Sequence, residues 1–243
     1  RNSLFERLLT RFRTASGYDP RFVYVLTRQG RMHEQIAEFP SLAFYAGWLQ
    51  PVPLSHQRGQ PHACPSNNGI ARMLTSHRLA FVCSEPPALS TSTKTNDVEA
   101  RMIAAIVHQA YLLCGKHFDV ERSIGVIVPY RNQISAIRNA VDQYGISVLH
   151  DICIDTVERF QGSQRDYIIY GFTVQQHWQL NFLAGNTFME DGAWIDRKLN
   201  VAMTRARLQL TLVGNPHLLA RNTTFRQLMD FVRARGGYLQ VPE

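Results

Sequence analysis

Short apolar, β-branched runs alternate along the chain with longer segments of helical period. That alternation predicts an α/β fold, with a mostly parallel central sheet and helices on both faces. Strands are expected at residues 22–27, 79–83, 124–128, 152–155, 167–173 and 208–213. Several are apolar at every position, as strands covered on both faces are. Three helices have legible ends. Asn96, with Glu99 three residues on, predicts a capping box opening a helix to about Gly115, with Val98, Met102, Ile106 and Leu113 on its apolar stripe. A second starts near Tyr130, puts Tyr130, Ile134, Ile137, Val141 and Tyr144 on one face, and stops at Gly145, suited to a left-handed end. Asp196 is expected to cap a third, running to about Arg207. Residues 50–78 and 175–193 read as loops. Neither is long enough for a separate domain, so residues 1–243 are expected to form one.

Composition narrows the class. With 243 residues, 45% hydrophobic and 19% charged, the chain has enough apolar material for a large globular domain and is unlike a disordered one. No apolar run approaches the roughly 20 residues of a membrane span, and the first residues lack a signal-peptide pattern. Four cysteines, none in a CxxC pair, give no disulfide framework. A reducing, cytoplasmic or nuclear compartment is the expectation. Lysine and arginine outnumber acids 26 to 19, for a net charge of +7. The excess is mostly arginine, which suits bidentate contact with phosphate and permits a nucleotide or nucleic acid partner without establishing one.

Three blocks carry candidate chemistry, each expected at the carboxyl end of a strand, where open α/β sheets bind ligands. Gln29-Gly30-Arg31-Met32-His33 offers an arginine; alone it reads as a solvated loop. Thr156–Asp166, with Gly162 in a short polar connection, reads equally as turn or binding loop. In Leu199–Arg207, Leu199, Ala202, Met203 and Ala206 can pack on the sheet. That leaves Arg205 and Arg207 on different sides, one at the sheet edge and one for a salt bridge or the surface.

Taken together, and in this order, the blocks resemble the second RecA-like domain of superfamily 1 helicases, in the branch of the nonsense-mediated-decay RNA helicase and the DNA2-like nuclease-helicases. Ser3-Leu4-Phe5-Glu6-Arg7-Leu8 is similar to that family's SLFERL segment, and Gln29–His33 to its Gln-Tyr-Arg-Met-His block. Phe39-Pro40 and Phe44-Tyr45-x-Gly47-x-Leu49 continue the match. Further resemblances are Asn96-x-x-Glu99-Ala100, Val126-Ile127-Val128-Pro129-Tyr130-x-x-Gln133, FQGSQRD (160–166, motif V), LNVAMTRAR (199–207, motif VI) and Val213-Gly214-Asn215-Pro216. The match runs from Ser3 to about Asn222.

The resemblance implies roles. Arg31 and Arg205 are implied as the two arginines that cross an interdomain cleft to the γ-phosphate of ATP, bound with Mg²⁺ mainly by a first RecA-like domain. Guanidinium charge there stabilises the phosphoryl transition state. Gln161 and Gly162 are implied as motif V residues coupling nucleotide to nucleic acid. Gln164 takes the position that meets the ribose. Tyr130, Arg131 and Thr156 sit where relatives touch the backbone of single-stranded DNA or RNA. Three departures stand out: Gly30 replaces the family's tyrosine, Gln164 replaces its glutamate, and 175–193 exceeds its short linker.

The chain contains no G-x-x-x-x-G-K-[ST] loop and no Asp-Glu Walker B block. Because SLFERL follows the first domain's last motif in relatives, this chain is expected to be one part of a longer protein and unable to hydrolyse ATP alone. Two alternatives remain at this point. One is a non-catalytic nucleic-acid or protein platform derived from a helicase, favoured by Gly30 and Gln164 and opposed by the intact Arg31, Gln161 and Arg205. The other, a Rossmann-type enzyme, lacks a Gly-rich loop at 22–30. His62-x-Cys64 has no second pair, so no metal site is expected. Trp178 and Phe182 have rings that could stack on bases, but capping the core is the favoured reading; Tyr45 and Trp48 are also read as packing residues.

Overall fold

The computed structural model describes residues 4–15, 17–59, 68–84, 94–160, 162–185, 187–190 and 193–240. Ser3, Gln161 and Cys64 lie outside them. The central sheet is built from β1 (Leu79–Cys83), β2 (Ile124–Val128), β3 (Cys153–Thr156), β4 (Arg165–Gly171), β5 (Ala206–Gly214) and β6 (Tyr238–Gln240). Their spatial order is β6-β1-β5-β4-β2-β3, and every neighbouring pair is parallel. The expected fold class is therefore observed. β1 and β2 are buried at all five positions, which is why they carry no polar alternation.

The helices longer than one turn are α1 (Leu4–Arg11), α2 (Glu34–Phe44), α3 (Gly69–Ser76), α4 (Asp97–Cys114), α5 (Arg131–Asp142), α6 (Gln179–Leu183), α7 (Arg197–Met203) and α8 (Thr223–Ala234). Two cores lie on opposite faces of the sheet. On one, Ile36 and Phe39 of α2, Leu199 and Met203 of α7, and Phe225 and Leu228 of α8 cover Phe81, Tyr170 and Leu212. On the other, Met73 of α3, Ile103 and Val107 of α4, and Ile137 and Val141 of α5 cover Val82, Val126 and Ile169. Successive strand side chains feed alternate cores, the period-2 geometry of a sheet filled on both sides.

Several expectations need correction. Residues 22–27 form no strand; Phe22, Tyr24 and Leu26 are 61%, 85% and 77% exposed, and the central sheet gives them no partner strand. The stripe on α4 is rotated from the expected one: Glu99, Ile103, Ile106, Val107 and Ala110 are buried, while Val98, Met102 and Leu113 are only partly so. Asn96 does cap α4, its Oδ1 accepting the Glu99 N–H at 3.1 Å. Glu99 does not reach back to complete the box. Gln133 Oε1 takes the Asn96 N–H instead, at 2.7 Å, and Gln133 Nε2 donates to the Asn96 carbonyl at 2.9 Å. Asp196 caps α7 as expected, accepting the Leu199 N–H at 3.0 Å, but the helix ends at Met203 because Ala206 already pairs in β5. Residues 175–193 are not simply loop: they hold α6 and most of a hairpin of Thr187–Glu190 with Ala193–Asp196. Residues 50–78 include the helical turn Ser55–Arg58 and α3.

Candidate nucleotide edge and nucleic-acid rim

Gln29 folds the segment 29–33 into a tight loop. Its Oε1 accepts the N–H groups of Arg31 (2.9 Å) and Met32 (2.7 Å), and its Nε2 donates to the Met32 carbonyl at 2.9 Å. Buried Gln57 clamps the loop from below through the Gln29 and Met32 carbonyls, both at 3.0 Å. Next to it, the His33 N–H donates to the Arg207 carbonyl at 2.8 Å, which pins the loop to the start of β5. Gly30 leaves room, since an added Cβ would meet only Leu54 at 3.7 Å.

This pinning brings the three implied nucleotide residues together. Arg31 Nε donates to Gln164 Oε1 at 2.9 Å, and Arg31 Nη1 donates to the Thr204 carbonyl at 2.9 Å. Arg205 follows directly, its Nη1 at 3.5 Å from the Ser163 carbonyl and its buried Nε without a hydrogen-bond partner. Burial first, and then the charge of nearby Arg31, hold the Arg205 guanidinium below its usual range. A cleft of about 330 Å³ opens beside Arg31, lined by Gly30, Arg31, Tyr45, Leu49 and Thr204, with Arg205 next in sequence to its Thr204 wall. Arg207 goes elsewhere, into an ion pair with Asp166, as expected for one of the two arginines.

The position of this cluster corrects the sequence reading. Gln164 and Arg205 immediately precede β4 and β5, so the cluster sits on the amino rim of the sheet, not the carboxyl rim. The first block is not preceded by a strand of this sheet, and Arg205 lies in the turn after α7, not on a helix.

Tyr130, Arg131 and Thr156 do occupy the carboxyl rim. Val128 lies opposite Thr156 in the β2–β3 ladder, with Tyr130 two residues beyond as the first boundary residue of α5. Arg131 is exposed. Thr156 is buried, and its side chain hydrogen-bonds Glu158, which pairs with Lys198 at 3.2 Å. The Lys198 amine lies 4.4 Å from the Phe182 ring centroid, and Phe182 stacks on Tyr130 at 5.1 Å and 18°. One continuous line of contacts therefore runs from Tyr130 to Thr156.

The connection between the rims is short. Residues 157–164 leave the carboxyl end of β3 and arrive at the amino end of β4. Phe160 anchors it at 0% exposure beneath Gly125, where any added Cβ would lie 2.5 Å from the Phe160 ring. Gly162 takes φ +88°, a left-handed value that favours glycine, with open space around it. Its role in the described structure is the turn itself. Among the described residues, no group of three or more His, Cys, Asp or Glu side chains could hold a metal ion, and no helix is long and apolar enough to cross a membrane.

A family model described as an AAA domain matches residues 1–217. The chain belongs to the AAA-domain family. This AAA domain is 32% identical over 218 residues to Helicase sen1 of Schizosaccharomyces pombe, covering 87% of the chain and 12% of that protein. It is 32% identical over 241 residues to Regulator of nonsense transcripts 1 of Caenorhabditis elegans (96% and 20%), and 32% identical over 243 residues to ATP-dependent helicase NAM7 of Saccharomyces cerevisiae (97% and 22%). The resemblance to superfamily 1 helicases of the nonsense-mediated-decay branch is thereby borne out. The chain spans 12–22% of the length of these relatives. Among solved structures, the C-terminal domain of a possible DNA helicase from Lactobacillus plantarum aligns with TM-score 0.41 and 15% identity, over 87% of this chain and 98% of that one.

Some residues of this AAA domain escaped sequence reading. Glu99 matched as a motif letter, yet its fully buried carboxyl bridges two strand ends: Oε1 meets Ser84 Oγ at 3.2 Å and Oε2 accepts the Thr173 N–H at 2.7 Å. Thr173 itself has φ +55°, rare for a β-branched residue. Trp178 and Phe182 do not cap the core, being 56% and 46% exposed. Tyr45 and Trp48 are 40% and 66% exposed, so they too fail as packing residues; the Tyr45 hydroxyl accepts from Asn200 Nδ2 at 2.9 Å beside the cleft.

Proposed function

We propose that this AAA domain is the second motor domain of an ATP-dependent helicase acting on single-stranded DNA or RNA. The observation that carries the reading is the pair of guanidiniums at the amino rim. Arg31 borders the cleft and bonds the Thr204 carbonyl beside Arg205, Arg205 feels the charge of Arg31 and keeps an unsatisfied buried N–H, and no carboxylate neutralises either one directly in the described contacts. Two like charges held together in this way favour an anion between them, and a triphosphate fits the donor set. Mg²⁺ and the remaining phosphate contacts would come from a first RecA-like domain, because this chain has neither a Walker loop nor a described metal-ligating cluster.

When bound, ATP would supply the phosphoryl group whose transfer to water drives the motor. Arg31 would leave Gln164 and the Thr204 carbonyl to meet the γ-phosphate, and Arg205 would satisfy its free N–H on the same group. Gln164, released, could hydrogen-bond the ribose through its amide, though without the charge of the family's glutamate. Residues 157–164, with Gln161 among them, tie this edge to the carboxyl rim. There Tyr130 and Arg131 would contact the strand backbone, and Thr156 would support them through Glu158 and Lys198. Closure of the two domains on the nucleotide would then alter the grip on the strand.

The 243-residue chain alone is expected to show no ATP turnover above buffer, while the longer protein that contains it hydrolyses ATP faster when single strands are added. A phosphate-release assay on both decides the matter. Turnover by the chain alone contradicts the division of labour. A longer protein that binds strands but never hydrolyses ATP favours the non-catalytic platform.

A further inference from the structure

Resting on the reading that the carboxyl rim carries single-stranded nucleic acid, we infer that Trp178 is a base-stacking seat, carried on the turn that Gln179 fixes beside Tyr130. Nothing in the motif resemblance assigns Trp178 a role. The indole is 56% exposed, and no other ring stacks on it among the described residues. An indole left in water beside a phosphate-binding edge is an unused apolar surface. Every nucleobase offers a π-face to such a surface, which makes the contact sequence-tolerant.

Its mounting is unusually well defined for a loop. Gln179 Oε1 accepts the N–H groups of Gln175 (2.8 Å) and Gln176 (2.7 Å), fixing the turn that presents Trp178. The Gln179 side chain also hydrogen-bonds Tyr130. Four residues after Trp178, Phe182 stacks on Tyr130 on one side and receives the Lys198 amine on the other contact. The turn starts from Thr173, whose left-handed backbone is held by Glu99. Thus the turn is preorganised beside Tyr130, and the exposed Arg131 follows Tyr130 at the start of α5. An exposed ring face on the same rim as the exposed Arg131 guanidinium matches a strand of bases and phosphates, which supplies a π-face and an anion together.

The test uses the 243-residue chain, the longer protein that contains it, oligothymidylate, and an abasic strand of equal length and charge. Tryptophan emission of the wild-type chain should be quenched by oligothymidylate. Trp178→Phe should lose most of that quench although the other two of the three tryptophans remain. Trp178→Ala should bind oligothymidylate about 5- to 100-fold more weakly. The abasic strand should bind wild type and Trp178→Ala with equal affinity, since only the bases engage the indole. Unchanged affinity of Trp178→Ala, or equal binding of both strands by wild type, overturns the seat. So does an indole already shielded from a soluble quencher in the longer protein before any strand is added, which would mean that another domain covers it. If Arg131→Ala weakens binding while Trp178→Ala does not, the seat fails and the strand-binding rim stands. If neither the chain nor the longer protein binds either strand, the rim reading fails and takes the seat with it.

Discussion

Replacing Arg205 by alanine in the proposed longer helicase is expected to lower ATP turnover by about 10³-fold or more, the scale on which arginine fingers act in other NTPases. Single-strand affinity should stay within a few-fold, because Arg205 touches the amino rim alone, through Ser163. Stability should not fall. The side chain buries an N–H that no group satisfies, and it sits against the charge of Arg31; alanine removes both penalties. A structural arginine would behave in the opposite way, with a lower melting temperature and a proportionate loss of every activity. Arg205→Lys should recover little, because a single ammonium cannot reproduce the planar fork. Steady-state kinetics, a strand-binding isotherm and a thermal melt on the same preparation separate these outcomes. Normal turnover in the alanine variant contradicts the assigned role.

The second large effect is expected at Glu99. Burial pushes its carboxyl up to about 8, against a smaller opposing pull from the Thr173 N–H and the Ser84 hydroxyl. The folded protein therefore keeps a proton on Glu99 through a range in which the unfolded chain has lost it. Stability from this group is fully present below about pH 4.5, the ordinary value, and declines as pH rises through about 8. Glu99→Gln keeps both hydrogen bonds in neutral form, with its oxygen accepting from Thr173 and its nitrogen donating to Ser84. It should flatten the decline, so that the variant is more stable than wild type at pH 8.5 and close to it at pH 5. Glu99→Ala leaves a buried N–H and a hydroxyl without partners and should destabilise the fold by roughly 2–4 kcal/mol at either pH. Urea unfolding at the two pH values checks both; parallel curves for wild type and Glu99→Gln would contradict the buried neutral acid.

Burial on two sides is what made the sheet legible. The runs at 79–83 and 124–128 are apolar throughout because both faces are covered, and they coincide with β1 and β2. Residues 22–27 show how the same signal misleads. The run has strand composition, but its side chains stay exposed on the described structure, and composition does not say which sheet a strand would join. The α4 stripe is rotated from the expected one because Glu99, read only as the acid of a capping box, is a buried group between Ser84 and Thr173. The motifs named Arg31, Gln164 and Arg205 but misplaced them by one rim. Arg205 already precedes the strand expected at 208–213, so chain order alone puts it on the amino rim; the helical pattern running through Ala206 hides only that Arg205 lies in a turn. Trp178 had no signal beyond its ring, since exposure is decided by the turn that Gln179 builds.

The central claim concerns where two guanidiniums go when a triphosphate arrives. The direct measurement is a structure of the proposed longer helicase bound to ADP, Mg²⁺ and aluminium fluoride, a mimic of the transferring phosphoryl group. The account predicts that Arg31 has left Gln164 and the Thr204 carbonyl, and that it and Arg205 both donate to the fluoride. An occupied nucleotide cleft with Arg31 still on Gln164 and Arg205 still turned to Ser163 would contradict it.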